Sequence, residues 1–276
     1  MSAAAEQFFR NHAALPTMPE VASRLMRSFD DDRISLGAIS ELIAKDSTLT
    51  AKVLRLANSA RYSPSHQIDH LQDAAAALGL ETLRNLSLGA CISCSFPNVQ
   101  GLDRKVFWRH SIATANYARI VSRLLELDAD SAYLAGLMLR TGQILMALAE
   151  PAKVADVEAH AVEPGSRFSL EMSRFGCSHA DVTAALAGHW HFPAAMVQAF
   201  RDAQAPLDAR PFSRMAAVLH IAEVLADAAE HHDRPGQALQ VAVPELVEHL
   251  HLDLAYLEER LAAAGDVAAD VDQMIG

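Results

Sequence analysis

The sequence predicts an all-α protein, a multi-helix bundle of two packed lobes. Three observations lead there. Ala and Leu abound while aromatic residues make up only 6% of 276, a balance that favours helices over sheets. Apolar residues recur every three or four positions along most of the chain, and no segment alternates as a half-buried strand does. Third, the stretch from Leu134 to Ala149, LAGLMLRTGQILMALA, is apolar on nearly all sides and carries one charge, Arg140. It reads as a single core helix, capped by Asp130 or Ser131 and ending before Pro151. It is too short and too interrupted to span a bilayer, and no clean apolar stretch of about 20 residues exists, so no membrane span is expected.

Composition narrows the class. With 51% hydrophobic and 21% charged residues, the chain can bury one large core or two smaller ones. Its net charge of −11, from 23 basic and 34 acidic residues, argues against a general nucleic-acid surface, which needs a basic stripe. The opening MSAAAEQFFRNHAALP has no apolar run behind a basic start and does not read as a signal peptide. Three cysteines make no disulfide framework and fit a reducing cytoplasm.

The elements follow in order. Pro19 suits a first helical position, and Val21, Leu25 and Phe29 share a face. Ser35 caps a second helix with Leu36, Ile39, Leu42 and Ile43 inward. Asp46 or Ser47 opens a third with Leu49, Val53 and Leu56 in step, ended by Asn58-Ser59. Asp69 caps a fourth, stopped at Gly79, and Leu83, Leu86 and Ala90 carry a fifth to Phe96-Pro97. Trp108, Ile112, Ala115, Ala118, Val121 and Leu125 keep helical spacing through 107–127. The chain is more polar from Pro151 to Phe168. Ser178 and Asp181 form a capping-box-like start, with Cys177 and Val182 placed as a hydrophobic staple. Further helices are predicted from Pro193, over about 213–229, from Pro244, and over 254–264. Cys91-Ile-Ser-Cys94 sits in no βαβ pattern, and its cysteines are read as two small buried residues.

The resemblance of the chain becomes specific at Leu15-Pro16-x-x-Pro19, Asp46-x-x-Leu49-Thr50, Leu54-Arg55-Leu56-Ala57-Asn58-Ser59 and Ala74-x-x-x-Leu78-Gly79-x-x-x-Leu83-Arg84-Asn85. In this order, over about 80 residues, they resemble an HDOD domain. Phe107-Trp108-x-His110-Ser111, Ser178-His179-Ala180-Asp181 and Trp190-x-x-Pro193 extend the likeness. It implies an all-helical fold related to the HD superfamily of metal-dependent phosphohydrolases, without that superfamily's catalytic metal site. The implied layout is an extension over 1–14, an N-terminal lobe over 15–96, a degenerate HD-like lobe over 97–229 and a C-terminal helical extension over 230–276.

The segment Gly136-Leu137-Met138-Leu139-Arg140-Thr141-Gly142 resembles the superfamily's GLLHDIG, with Leu139 and Arg140 in place of its His-Asp pair. His110 stands at the superfamily's first metal-ligand position, and Glu223, in VLHIAEVLADAA (218–229), at the position of its last acid. Leu139 offers no lone pair and Arg140 is permanently cationic, so no metal, cofactor or catalytic residue is expected. A charged side chain in an apolar helix is costly unless paired. Arg140 is therefore expected to fill the vacated site and pair with Glu223 near His110, or else to snorkel to the surface. His179, at a helix start, is expected to be structural.

The resemblance implies a non-catalytic role in bacterial signalling, with protein partners. Two alternatives stay open. Arg140 can bind the phosphate of a nucleotide in the old pocket, or His110 and Glu223 can recruit His179 or His189 around a metal as a divergent phosphohydrolase.

Overall fold

A computed structural model describes residues 3–9, 18–28, 33–58, 67–269 and 271. In chain order its helices are α1 (Ala3–Glu6), α2 (Glu20–Arg27), α3 (Leu36–Ala44), α4 (Ser47–Ala57), α5 (Leu71–Ser95), α6 (Arg104–Leu124), α7 (Ala129–Met138), α8 (Thr141–Ala149), α9 (Pro151–His160), α10 (Ser166–Phe175), α11 (His179–His189), α12 (Ala194–Asp202), α13 (Arg214–Glu230), α14 (Pro235–Ala242), α15 (Pro244–His249) and α16 (Leu254–Ala264). The described residues contain no strand. The protein is all-α, as its composition and periodicity predict. The chain divides into two compact units. One is Pro16–Pro97 with Ala269–Gly276, the other Met1–Leu15 with Asn98–Ala268.

In the first unit α5 packs against α2, α3 and α4. Ser35 caps α3 by accepting the Ala38 N–H at 3.1 Å, and Asp46 caps α4 by accepting from Thr48 and Leu49. Of the predicted inward residues, Ile39, Ile43, Leu49, Val53 and Leu56 are buried, while Leu36 and Leu42 are half-buried at the edge of α3. Asn58 does more than end α4: its side chain donates to Ile68 O at 2.7 Å and accepts from Ile68 N at 2.8 Å, which closes the approach to α5. Several expectations are corrected. Pro19 precedes the first helical residue, and His70 rather than Asp69 precedes α5. At Gly79, φ is +78°, a left-handed value open to glycine, and the fourth and fifth predicted helices meet there as two arms of one kinked helix. Cys91 is buried and burial pushes its thiol up to about 12, but Cys94 is exposed, so the C-x-x-C pair does not share a buried face. Phe29 and Ser59 lie outside the described residues.

In the second unit α6 and α13 form the spine, packed on each other and on α7. All six residues predicted along α6, Trp108 to Leu125, are buried. Asp128, not Asp130 or Ser131, caps α7, accepting the Ser131 N–H at 2.6 Å. The single core helix expected over 134–149 is two helices broken at Leu139-Arg140. The break is held by Thr183 of α11, whose hydroxyl accepts from Gly142 N and donates to Leu139 O, both at 2.8 Å. By length and composition Ala129–Ala149 could cross a membrane, but 89% of its most apolar window is buried inside the protein. The polar region after Pro151 holds α9 and α10. The capping box at Ser178 is present, with Ser178 and Asp181 each bonding the other's backbone.

Gly142 permits the close approach of α8 and α11. A Cβ there would stand 2.3 Å from His179 O and 2.6 Å from Thr183 N. Gly142→Ala is expected to destabilise the protein by at least about 2 kcal/mol, toward the upper end of overpacking costs. Gly188→Ala in α11, where a Cβ meets nothing within 4 Å, is expected to stabilise it by up to ~1 kcal/mol. Denaturant unfolding of both variants checks the contrast, and equal effects would refute the steric account of the break.

Candidate functional site: a buried ion cluster

Four sequence segments of the second unit converge on one buried carboxylate, Glu223. Its helix, α13, is apolar on most sides, yet His220, Glu223, Asp227 and Glu230 recur at spacings of three or four and lie on one face. From α6, His110 is fully buried. Its Nε2 lies 3.2 Å from Glu223 Oε2, without hydrogen-bond geometry, and its Nδ1 bonds Glu230 Oε1 at 2.9 Å with Asp227 Oδ1 at 3.8 Å. From the α7–α8 break comes Arg140, 3% exposed, whose Nε is 3.8 Å from Glu223 Oε1. Arg140 closes the turn between α7 and α8 with φ −91° and ψ 1°, outside the helical range, and its guanidinium is buried. There it donates to Gln143 Oε1 at 2.8 and 3.2 Å and meets Glu158 Oε1 at 3.3 Å.

The polar segment between α8 and α11 completes the cluster. Arg167 of α10 is buried; its Nη1 donates to Glu158 Oε1 and its Nε is 3.9 Å from Glu223 Oε1. Glu171, one turn on, accepts from both the backbone N–H and Nδ1 of His179, at 2.6 and 2.7 Å. The Nε2 of His179 then lies 4.0 Å from Glu223 Oε1. Phe168 stacks on His179 with centroids 4.7 Å apart and on His220 at 5.1 Å.

Of the residues singled out in the sequence, His110, Arg140, Glu223 and His179 therefore meet. Leu139 is buried beside them and contributes its carbonyl to Thr183, while His189 is exposed and apart. Arg140 does not snorkel. Its nearest carboxylate is Glu158, which sequence reasoning missed together with Arg167, Glu171, Asp227 and Glu230. Asp227 and Glu230 were legible as the fourth and seventh residues after Glu223; the others had no signal beyond being polar.

The charges settle one another. Burial and Arg140 both oppose a proton on His110, yet Glu223 and Glu230 outweigh them and raise its pKa to about 9. Burial alone would raise Glu223; His110 and Arg140 instead hold it well below the carboxylate range. Glu158, partly exposed, is lowered against its own burial by Arg140 and Arg167. Asp227 goes the other way, raised by burial and by Glu223 despite His110.

His110, Glu223 and Asp227 bring three donor atoms within 4.8 Å of one another, so a divalent metal must be considered. The set does not fit one. A metal needs the neutral imidazole, whereas the carboxylates of Glu223, Asp227 and Glu230 around His110 favour its protonated form. Two guanidinium nitrogens already face the free oxygen of Glu223, where a divalent ion would be repelled.

A model of the HDOD domain matches residues 15–206. The chain belongs to the HDOD family. The match stops short of α13, so the acidic face of that helix lies beyond it. Among solved structures, a provisionally assigned phosphohydrolase from Shewanella amazonensis SB2B is 26% identical, with a TM-score of 0.80 over 100% of this chain and 99% of that one. An HDOD domain protein of unknown function from Geobacter sulfurreducens, 23% identical over 98% of this chain and 97% of that one with TM-score 0.76, shares the fold. So does a provisionally assigned signal transduction protein from Marinobacter aquaeolei VT8, 22% identical with TM-score 0.79, over 99% of this chain and 64% of that one. A curated relative, an uncharacterized protein from Treponema pallidum (strain Nichols), is 26% identical over 193 residues, which are 68% of this chain but 37% of that protein's length.

Two measurements test the cluster. Glu223→Gln leaves His110, Arg140 and Arg167 without their shared counter-charge and is expected to cost about 3–5 kcal/mol. Arg140→Met is expected to cost clearly less, because Glu158 and Glu223 each keep Arg167 beside them; the reverse order in chemical denaturation would overturn this account. The pH dependence follows from the direction of each shift. His110 is raised, so its contribution is whole below about 6.5 and is lost as the pH climbs toward 9. Glu223 is lowered, so its contribution is whole above about 4.5 and is lost on acidification. Between pH 6 and 9 the protein is expected to lose up to roughly 3 kcal/mol of unfolding free energy, and His110→Gln to flatten that slope. Parallel slopes for the two proteins would sink the assignment.

Proposed function

We propose that this HDOD chain is a non-catalytic module of bacterial signalling that acts in the cytoplasm by holding protein partners. One observation carries the reading: Arg140, at the position where the HD superfamily has its His-Asp pair, is buried with its Nε 3.8 Å from Glu223 Oε1. Guanidinium groups stay protonated in proteins, so Arg140 and Arg167 supply, as fixed parts of the chain, positive charge that a divalent ion supplies in a hydrolase. What is lost is the function of that ion, activation of water for attack on phosphorus. Family membership and the likeness to a provisionally assigned signal transduction protein support the regulatory side of the reading. The three cysteines, all free, fit a reducing compartment.

A phosphate ligand ranks second. To reach Arg140 it would have to displace Gln143 and Glu158, which already occupy its guanidinium.

The deciding experiment is metal content, measured after reconstitution with manganese, iron and zinc, alongside phosphodiester and nucleotide hydrolysis on the same sample. Substoichiometric metal and no turnover are expected. Stoichiometric metal together with hydrolysis, both abolished in His110→Ala, would make the protein an enzyme and end the proposal.

A further inference from the structure

On the far side of Phe168 from the ion cluster lies a pocket of about 380 Å³ that the cluster does not use. One rim is the short 3-10 turn Pro206–Asp208, the other the α14–α15 junction at Ala242–Leu246, and His220 lines it. A proline begins each rim segment that carries an acid, fixing its backbone. The volume sits at the small end of ligand sites.

The chemistry of the lining is specific. Its walls are apolar, from Leu207, Val243 and Leu246, and its ionised groups are two exposed carboxylates, Asp208 and Glu245, with no lysine or arginine in the lining. His220 is the polar group of the inner wall. Its Nδ1 lies 2.6 Å from Ala203 O, and since a carbonyl only accepts, Nδ1 carries the proton. Burial lowers the ring's basicity, so the imidazole is neutral and Nε2 is a bare acceptor. Among the described residues Nε2 has no hydrogen-bond partner. The bond to Ala203 and a stack on Phe168 within 11° of parallel hold the ring in this orientation. An apolar slot with a fixed acceptor inside and two anions at its mouth selects a donor that is also a cation.

We propose that this pocket binds a small organic amine, whose ammonium donates to His220 Nε2 near Asp208 and Glu245 while its hydrocarbon body lies on Leu207, Val243 and Leu246. The site is separate from the ion cluster, and it stands whether or not that cluster proves catalytic. A neutral alcohol satisfies the acceptor but not the carboxylates, and a carboxylate satisfies neither.

Three probes of one shape separate these cases: hexylammonium, 1-hexanol and hexanoate, titrated into the full chain at constant pH and followed by the imidazole nitrogen resonances. Hexylammonium is expected to shift His220 Nε2 saturably and to bind about fivefold more tightly than hexanol, the worth of its attraction to two exposed carboxylates. Hexanoate is expected not to saturate. His220→Phe, which keeps the stack on Phe168 and removes the acceptor, is expected to weaken hexylammonium about tenfold. Asp208→Asn with Glu245→Gln, both at exposed positions where folding is not at stake, is expected to erase the preference for the amine over the alcohol. The proposal is overturned if hexanoate binds as well as hexylammonium, if the saturable shifts map away from His220, or if the double variant keeps the full amine preference.

Discussion

The second unit is organised around the cost of one buried charge. Glu223 is fully buried on the polar face of α13, and an isolated carboxylate in such a place would have to protonate or be paired. It is paired from four directions, by His110, Arg140, Arg167 and His179, at 3.2 to 4.0 Å. These residues belong to α6, the α7–α8 break, α10 and α11. Each of those segments must therefore sit in one register relative to α13. A one-residue slip in any of them would leave a charge buried without its counterpart, a far larger penalty than the loss of an apolar contact.

The two arginines need a second anion, and this explains Glu158. Were Arg140 and Arg167 to share Glu223 alone, two permanent charges would face one, beside a third on His110. Glu158 bonds both guanidinium groups and is itself partly exposed, so it brings neutralising charge at a smaller desolvation cost than a fully buried acid. The cluster thus grades from Glu223, fully buried, to Glu158 and Glu230 at the edge. A divalent cation concentrates its charge at one point and leaves coordination positions open to water. Guanidinium groups spread theirs over bonds already made, which gives cohesion without a reactive ligand.

Most of the fold was legible in the sequence because local rules and burial agree there. The caps at Ser35, Asp46 and Ser178 and the apolar rows of α3, α4 and α6 are read from periodicity, and the structure keeps them. The meeting of Arg140 with Glu223 was legible for a related reason: a lone charge in an apolar helix demands a partner. The other half of the site was hidden in α9 and α10. The buried face of α10 is Arg167, Phe168, Glu171 and Phe175, so two of its four inward positions are charged. Hydrophobic periodicity cannot detect a helix whose core-facing residues are ionic. The break at Leu139-Arg140 was hidden for another reason, since it depends on a hydroxyl 41 residues beyond Gly142.

That same face of α10 ties the ion cluster to its surroundings. Arg167 and Phe168 are neighbours in sequence, so one turn of backbone delivers a cation toward Glu223 and an aromatic plate between His179 and His220. On one side of the plate His179 is bonded to Glu171 and faces Glu223. On the other, His220 is kept neutral by burial and held by a backbone carbonyl. Phe168 cannot move along either ring without carrying Arg167 with it, because both side chains are buried on the same turn and packing at this density leaves no slack. The pocket beside His220 and the charges around Glu223 are therefore two faces of one packed wall.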